Sequence, residues 1–331
     1  MSADPEQLAR GILAGDRRAL ARGITLLESS RDADREPGDQ LLERLVPHSG
    51  RSIRVGISGV PGVGKSTFIE SFGIHAINQG HRVAVLAVDP SSALSGGSIL
   101  GDKTRMSTLS ASLDAFIRPS PAGGTLGGVA RNTRETMILV EAAGFDVVLV
   151  ETVGVGQSET AVAEMTDFFM LMLLPGGGDE LQGIKRGIIE LADLVVVNKA
   201  DGDLTAAAGR AAAEYRNALG FLHPRHRDWQ VQVLTCSATQ QQGINGIWSA
   251  MTEFRDQMTA SGTLERARSV HAQRWLWDEI SENLMELLRE DPHMNSRVQE
   301  LEQAVAQGKS PPRVAAREVL NLFTNAREGK E

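Results

Sequence analysis

A glycine-rich stretch near residue 60 constrains this chain more than any other feature. It runs Gly59-Val60-Pro61-Gly62-Val63-Gly64-Lys65-Ser66, with Thr67 next, and it matches the phosphate-binding loop pattern G-x-x-x-x-G-K-[ST] at every position. The apolar residues 53–58 before it predict a short buried strand. Residues 65–79 after it predict a helix that ends at Gly80. The motif therefore has the strand–loop–helix context that phosphate binding requires.

The residue types in this loop suit the oxygens of a phosphate chain. Glycine has no side chain, so the backbone can wrap closely around phosphates and turn its N–H groups toward them. The following helix adds the positive end of its dipole. Lys65 can reach the terminal phosphates, and the Ser66 hydroxyl can bind Mg²⁺. We predict that residues 59–67 bind a nucleotide; the alternative is a glycine-rich turn that binds nothing.

Composition and charge exclude several classes of function. The chain has 331 residues, 41% of them hydrophobic and 23% charged, which is enough for one large core with extensions. A net charge of −8 offers no electrostatic basis for binding nucleic acid or an anionic membrane surface. No apolar run approaches the roughly 20 residues that span a bilayer. A single cysteine, Cys236, and a first segment without signal-peptide character predict a cytoplasmic location.

The chain divides by pattern into three predicted regions. Residues 1–48 predict a helical extension, with helices capped by Asp4 and Asp16, a polar loop at 31–38 and a further short helix. Residues 49–261 alternate helical segments with near-continuous apolar strands, at 53–58, 83–88, 145–150, 168–174, 194–197 and 231–235. This alternation predicts an α/β fold of the P-loop NTPase type, with a mostly parallel central sheet flanked by helices.

Residues 262–331 differ from the region before them. Three amphipathic helices are predicted there, with one apolar stripe at Trp277, Ile280, Leu284 and Leu287. Such helices bury their stripes either on a second chain or on their own core. We favour self-association, which would make this region a dimerisation arm.

A second motif predicts which base is bound. Asn198-Lys199-Ala200-Asp201 directly follows a predicted buried strand and matches the N-K-x-D element of GTPases. The Asp201 carboxylate can accept two hydrogen bonds from guanine, which adenine cannot offer. Asn198 would contact the base edge and brace the loops, and the Lys199 stem would lie along the base. The alternative is a turn that caps a helix.

A third short element follows the last predicted strand. Thr235-Cys236-Ser237-Ala238 fits the S-A element whose backbone contacts the guanine oxygen, and we include Ser237, Ala238 and Thr239 among the nucleotide-binding residues. Cys236 has no histidine near it in the sequence. We therefore interpret it as a packed thiol rather than a nucleophile.

Carboxylates that follow strands are candidates for the metal. Glu151 begins E-T-V-G, where D-x-x-G is usual, and it can still hold Mg²⁺ directly or through water. Gly154 could donate its N–H to the γ-phosphate. Asp89 is a second candidate, or part of an Asp-Pro turn, and Asp102 is a third. Arg105 could stabilise charge in the transition state, although a solvated arginine is the simpler interpretation.

These elements together resemble a family of P-loop GTPases in the signal-recognition and MinD-like (SIMIBI) class. More narrowly, the chain resembles the methylmalonyl-CoA mutase-associated GTPases of the MeaB/MMAA type, which also carry the labels ArgK and LAO transport kinase. The resemblance spans about residues 8 to 325. It rests on the phosphate loop, Val88–Ser92, Gly101–Met106, Glu151–Glu159, Pro175–Lys185 and Asn198–Asp201.

The resemblance implies several properties. Such proteins bind adenosylcobalamin-dependent methylmalonyl-CoA mutase, or a related adenosylcobalamin mutase, and use GTP, GDP and Mg²⁺ to gate cofactor loading and to protect or reactivate the mutase. They bind no cobalamin themselves and are homodimers through their C-terminal helices. The resemblance also implies that the strand at 83–88 lies between the phosphate-loop strand and the Glu151 strand. Residues 175–185 resemble a switch loop in which Lys185 could move toward the nucleotide.

The predicted reaction is hydrolysis of GTP by an in-line water. Lys65, Mg²⁺ and the loop amides would stabilise the γ-phosphate, and Gln157 is a candidate for positioning the water. A kinase of a small molecule or transport protein is one alternative, but the sequence contains no signal for an acceptor site. A metallochaperone GTPase is another, but it needs clustered Cys or His ligands. His223 and His226, the closest histidine pair, are predicted to lie in a solvated loop.

Overall fold

A computed structural model describes residues 4–88, 106–119, 126–152, 158–176, 186–221, 224–290 and 292–328. The chain forms two compact units, Met1–Glu265 and Arg266–Glu331. The first unit contains a seven-stranded sheet in which every strand pair is parallel. The strands are β1 (Ile53–Gly59), β2 (Val83–Val88), β3 (Ala115–Arg118), β4 (Val147–Thr152), β5 (Phe168–Leu173), β6 (Leu194–Val197) and β7 (Gln232–Thr235).

Helices precede, cover and follow this sheet. Those of the first unit are α1 (Pro5–Leu13), α2 (Arg17–Leu27), α3 (Asp32–Leu45), α4 (Lys65–Asn78), α5 (Ser107–Ala111), α6 (Leu126–Ala142), α7 (Ser158–Met165), α8 (Arg186–Ile189), α9 (Thr205–Leu219) and α10 (Ile244–Ala260). Then follow α11 (Thr263–Glu290), α12 (Pro292–Ala306) and α13 (Pro312–Glu328). The predicted α/β fold is confirmed. None of the helices within the described ranges is both long and apolar enough to cross a lipid bilayer.

The strand order places the polar ends of two strands side by side. The order across the sheet is β3-β2-β4-β1-β5-β6-β7, and in it Ile57 of β1 is paired with Glu151 of β4. The expectation that β2 would separate these two strands is wrong, because β4 pairs with both β1 and β2. Glu151 therefore lies on the strand next to the phosphate loop.

Strand β3 was not predicted. It contains four residues, and its register pairs Ala115 with Val83 and Arg118 with Leu86 of β2. A run this short carries too little apolar pattern to stand out in a sequence. It forms because the edge of β2 offers unpaired backbone groups, which a short strand satisfies.

The predicted loop at 31–38 is also wrong, since α3 covers it from Asp32 onward. Asp32 and Asp34 lie in its first turn, where negative charge is favourable. The Asp34 carboxylate also accepts a hydrogen bond from Ser29 Oγ at 2.6 Å. Pro37 is tolerated within the helix because Leu41 and Leu45 are completely buried further along it. Tertiary packing thus overrides the local preference.

The predicted helix caps of the extension are confirmed. The Asp4 side chain accepts from Glu6 N at 3.0 Å, and Asp16 accepts from Arg18 N at 2.8 Å. Helix α2 packs on α6, and Glu28 at its end forms an ion pair with Arg118. The N-terminal helices are therefore part of the same compact unit as the sheet.

The second unit has a core of its own. Met294, Leu301 and Ala315 are buried there, and Arg297 on α12 forms an ion pair with Glu318 on α13 at 2.5 Å. On α11, by contrast, Trp277 remains 67% exposed. The apolar stripe predicted for this helix is thus only partly covered within one chain.

Candidate nucleotide-binding site

The phosphate loop leaves β1 at Gly59 and enters α4 at Lys65. Gly62 and Gly64 adopt φ angles of 80° and 94°, a region that side chains seldom adopt. Gly64 occupies the N-cap position without a side-chain cap, which leaves the first N–H groups of α4 facing a ligand. Val63 is completely buried and anchors the loop in the core. The local structure therefore has the backbone geometry that we predict for a phosphate cradle.

Lys65 lies across this cradle. Its Nζ donates a hydrogen bond to the Gly59 carbonyl oxygen at 2.8 Å. Burial lowers the pKa of Lys65 below its ordinary value, while the nearby carboxylates of Glu151 and Glu159 act in the opposite direction. An ammonium group that has already lost part of its hydration can interact strongly with a phosphate that replaces the missing water.

The residues for a divalent cation fit Mg²⁺. Ser66 Oγ donates to Glu151 Oε1 at 3.3 Å, so one hydroxyl and one carboxylate oxygen meet beside the phosphate loop. Mg²⁺ takes such oxygen ligands and usually completes its shell with waters and phosphates. Glu151 is buried, and the adjacent Thr152 donates to Ser58 Oγ at 3.0 Å. These contacts fix the end of β4 against the end of β1.

Residues 198–201, which we call the base-reading loop for their predicted role, are joined to the phosphate loop by one side chain. Asn198 directly follows β6 and is 2% exposed. Its Nδ2 donates to the Val63 carbonyl oxygen at 2.8 Å, and its Oδ1 accepts from Ala238 N at 3.2 Å. Three segments that are far apart in the sequence therefore meet at this amide, which confirms that they lie together.

The Asp201 carboxylate contacts the loop that follows β7, at residues 236–239. The hydroxyl of Ser237 donates a hydrogen bond to Asp201 Oδ2, and Thr239 Oγ1 lies 3.5 Å from the same oxygen. Lys199, between Asn198 and Asp201, has a φ of 58°. A non-glycine residue in this left-handed region costs about 1 kcal/mol and often marks a functional site.

Part of the predicted site lies outside the described residues. Asp89, Asp102, Arg105, Gly154, Gln157 and Lys185 all belong to this group. The structure brings together the other predicted residues, which are Gly59 to Thr67, Glu151, Asn198, Lys199, Asp201, Ser237, Ala238 and Thr239. The metal-binding and catalytic roles of the first group stay predictions.

Two residues near the site were not predicted to have a role. Ser71 on α4 donates to the Ala238 carbonyl oxygen at 2.6 Å, so the phosphate-loop helix also holds the second base loop. Glu159 on α7 is buried, and its negative charge acts to raise the pKa of Lys65 against the effect of burial. A serine or glutamate inside a helical pattern gives no signal of this kind, because the contact depends on how helix and sheet pack.

His226 is not solvated as expected, although Pro224, Arg227 and Asp228 of the same loop are exposed, and His223 lies outside the described residues. His226 is largely buried, its ring lies 5.4 Å from that of Phe254, and its Nε2 lies 3.6 Å from Asp193 Oδ1. Asp193 also accepts from Arg225 Nη1 at 3.3 Å, and Trp229 Nε1 donates to its carbonyl oxygen. These contacts anchor the loop to the start of β6, at the opposite end of the strand from Asn198.

Known proteins resemble this chain over most of its length. The family model for the methylmalonyl-CoA mutase-associated GTPase MeaB matches residues 20–293. A Caulobacter vibrioides protein described as a GTPase is 55% identical over 320 residues, covering 97% of this chain and 98% of that protein. The mouse mitochondrial protein named methylmalonic aciduria type A homolog is 49% identical over 328 residues, covering 96% of this chain and 79% of that protein.

A solved structure agrees with these matches. A crystal structure described as LAO/AO transport system kinase superposes with a TM-score of 0.76 at 38% identity, over 98% of this chain and 99% of that one. Identity at this level over nearly the whole chain shows that the two proteins share a family as well as a fold. The chain therefore belongs to the MeaB family of methylmalonyl-CoA mutase-associated GTPases.

Proposed function

We propose that this chain hydrolyses GTP to GDP and phosphate, and that this reaction controls its action as a chaperone of an adenosylcobalamin-dependent methylmalonyl-CoA mutase. The chaperone would gate cofactor loading and protect or reactivate the mutase. The observation that carries the nucleotide assignment is the Asn198 amide, which bonds the phosphate loop and the Ala238 loop at once. The mutase assignment is supported by the family to which the chain belongs.

The chain's own residues act mainly by positioning and by charge. The amides at the start of α4 would hold the β-phosphate, and the Lys65 ammonium would donate to oxygens of the γ-phosphate. Asp201 would bind the guanine edge, and Ser237 would hold that carboxylate in place. Ser66 and Glu151 would hold Mg²⁺, which when bound neutralises charge on the β- and γ-phosphates.

The partner and the oligomeric state are further parts of the proposal. Exposed apolar residues on α11 recur with the spacing of a helix–helix seam, at Val270, Trp277, Leu284 and Leu287. We propose that α11 forms part of the dimerisation arm of a homodimer. The net charge of −8 supports a protein partner rather than nucleic acid or an anionic membrane surface.

The proposal is tested by a pull-down with purified methylmalonyl-CoA mutase. Recovery is measured with the chain loaded with GDP and with a non-hydrolysable GTP analogue, and the Lys65→Ala variant serves as the nucleotide-deficient control. We expect the recovered amount to depend on the nucleotide for the wild type only. Equal recovery in both states, or no recovery in either, would overturn the chaperone assignment.

The two alternatives give different results in simple assays. A kinase would transfer label from γ-labelled GTP to an acceptor molecule, whereas a GTPase releases it as free phosphate. A metallochaperone needs a cluster of metal ligands. Across the described ranges, no group of three or more His, Cys, Asp or Glu side chains is arranged to hold a metal ion.

A further inference from the structure

The Asn198 amide has a third contact that the GTPase motif does not require. Besides Ala238 N, its Oδ1 accepts a hydrogen bond from Cys236 Sγ at 3.3 Å. The thiol is buried at 2% exposure. Burial raises the pKa of Cys236 to about 12, so the thiol keeps its proton and remains a donor at neutral pH.

The neighbours of this amide fix which way it faces. The Val63 carbonyl can only accept a hydrogen bond and therefore needs the NH₂ group of Asn198. The Ala238 N–H can only donate and therefore needs the amide oxygen. An amide oxygen has two lone pairs, and the Cys236 thiol occupies the second one. With this bond, both lone pairs of Asn198 Oδ1 accept a hydrogen bond.

Backbone hydrogen bonds fix the main chain of Cys236. Cys236 N donates to the Val197 carbonyl at 2.9 Å, and Ala200 N donates to the Cys236 carbonyl at 2.9 Å. The N–H of Cys236 thus bonds to the end of β6, and its carbonyl bonds to the loop that contains Asp201. On the phosphate-loop side of the Asn198 amide, a Cβ atom added to Gly64 would lie only 2.8 Å from Asn198 Nδ2. The absence of a side chain at Gly64 therefore leaves the space that the Asn198 amide occupies.

We propose that Cys236 is a positioning residue for guanine nucleotide, whose thiol holds the Asn198 amide so that the base-reading loop stays braced against the phosphate loop. The inference rests on the proposed binding of guanine nucleotide. Without the thiol, Oδ1 retains one hydrogen bond and the buried second lone pair has no donor. The free protein then spends less time in the conformation that binds nucleotide, and the apparent affinity falls by that fraction.

Three substitutions separate hydrogen bonding from packing. Cys236→Ser keeps a donor, Cys236→Ala removes it and leaves a space, and Cys236→Val removes it and fills the space with a slightly larger apolar group. Affinity is measured by titration with a fluorescent GDP analogue. We expect Cys236→Ser to bind within about twofold of the wild type, and Cys236→Ala and Cys236→Val to bind roughly fivefold more weakly, the size of one weak net hydrogen bond. Thermal unfolding without nucleotide establishes that each variant is folded.

A double-mutant cycle tests whether the effect passes through Asn198. In an Asn198→Ala background the acceptor is absent, so Cys236→Ala should cause no further loss of GDP affinity. Equal losses in both backgrounds, or Cys236→Ala binding better than Cys236→Ser, would mean that the cysteine only packs and would overturn the inference. A wild-type chain that fails to bind GDP would instead overturn the proposed function, and this inference with it.

Discussion

At the scale of single residues, Lys65 already has a hydrogen-bond partner in the free protein, and its ammonium group has two further donors for phosphate. Its Nζ donates to the Gly59 carbonyl, and its burial favours an added interaction with charged phosphate oxygens. We expect Lys65→Ala to lower the rate of GTP hydrolysis at least 100-fold, the usual effect of removing one group that stabilises developing charge. Phosphate release under saturating GTP measures this rate.

The exposed Lys309, in the second unit, provides the matched control. Lys309→Ala removes the same charge from the chain without touching the phosphate loop, and its hydrolysis rate should equal that of the wild type. A Lys65→Ala rate equal to that of Lys309→Ala would contradict the role given to Lys65.

Asp201 carries the second prediction at this scale. Asp201→Asn replaces an acceptor-only carboxylate by an amide whose NH₂ faces the guanine donors. We expect GDP to bind about 100-fold more weakly, since two charge-assisted hydrogen bonds are lost, and xanthosine diphosphate to bind better than GDP. Competition titrations measure both affinities. Asp203→Asn, on the exposed neighbouring turn, is the control, and a shared base preference in the two variants would argue against Asp201 as the base reader.

At the scale of elements, a buried ion pair connects β1 to α6. Arg54 Nε and Nη2 donate to the two oxygens of Glu141 at 2.7 and 2.9 Å, and Ser52 Oγ and Gly50 N donate to the same carboxylate. Burial acts to raise the pKa of Glu141, but the bonds and charge of Arg54 outweigh it. The pKa of Glu141 therefore lies below its ordinary value of 4.5.

This pair predicts how stability depends on pH. A carboxylate with a lowered pKa stabilises the folded state above its unfolded pKa, and the effect is lost as the pH falls through the folded value. Glu141→Gln should lower the free energy of unfolding by about 3 kcal/mol at pH 7, because it leaves Arg54 buried without its charge partner. The difference from the wild type should shrink below about pH 4.5.

Urea-induced unfolding of both proteins at pH 7 and pH 3.5 measures this difference. The exposed Glu43 serves as a control, since Glu43→Gln should change stability little at either pH. A Glu141→Gln deficit of the same size at both pH values would contradict the assignment of the effect to the carboxylate charge.

The elements also mark how far the sequence predicts the fold. The long apolar strands and the two nucleotide motifs were predictable, because period and spacing are local properties. Strand β3 and the first half of α3 were not, since edge pairing and the burial of Leu41 and Leu45 decide them. The position of β4 next to β1 was predicted wrongly, because nothing in a strand's own residues states which strand becomes its neighbour.

The site was predictable to a similar extent. The spacing of the motifs identified Lys65, Asn198 and Asp201 without coordinates. The bonds from Ser71 and Cys236 depend on tertiary packing, and only the coordinates reveal them. Local sequence therefore predicts which residues meet the nucleotide, and packing shows which residues hold them in place.

At the scale of the whole molecule, the proposed dimer rests on the exposed stripe of α11. A charge placed in such a seam must be buried on association, which is costly. We expect Trp277→Lys to convert the dimer into monomers without changing GDP affinity. Light scattering coupled to gel filtration measures the mass. Glu282→Lys, at about 140° around the same helix from Trp277, should leave the mass unchanged.

The central claim is that residues 59–67 and 198–201 bind the two ends of one guanine nucleotide. A crystal structure of the wild-type chain grown with GDP and Mg²⁺ tests it most directly. We predict that the β-phosphate lies against the amides that precede α4, and that the guanine edge lies within hydrogen-bonding distance of Asp201. A nucleotide bound elsewhere, or a base facing away from Asp201, would contradict the account.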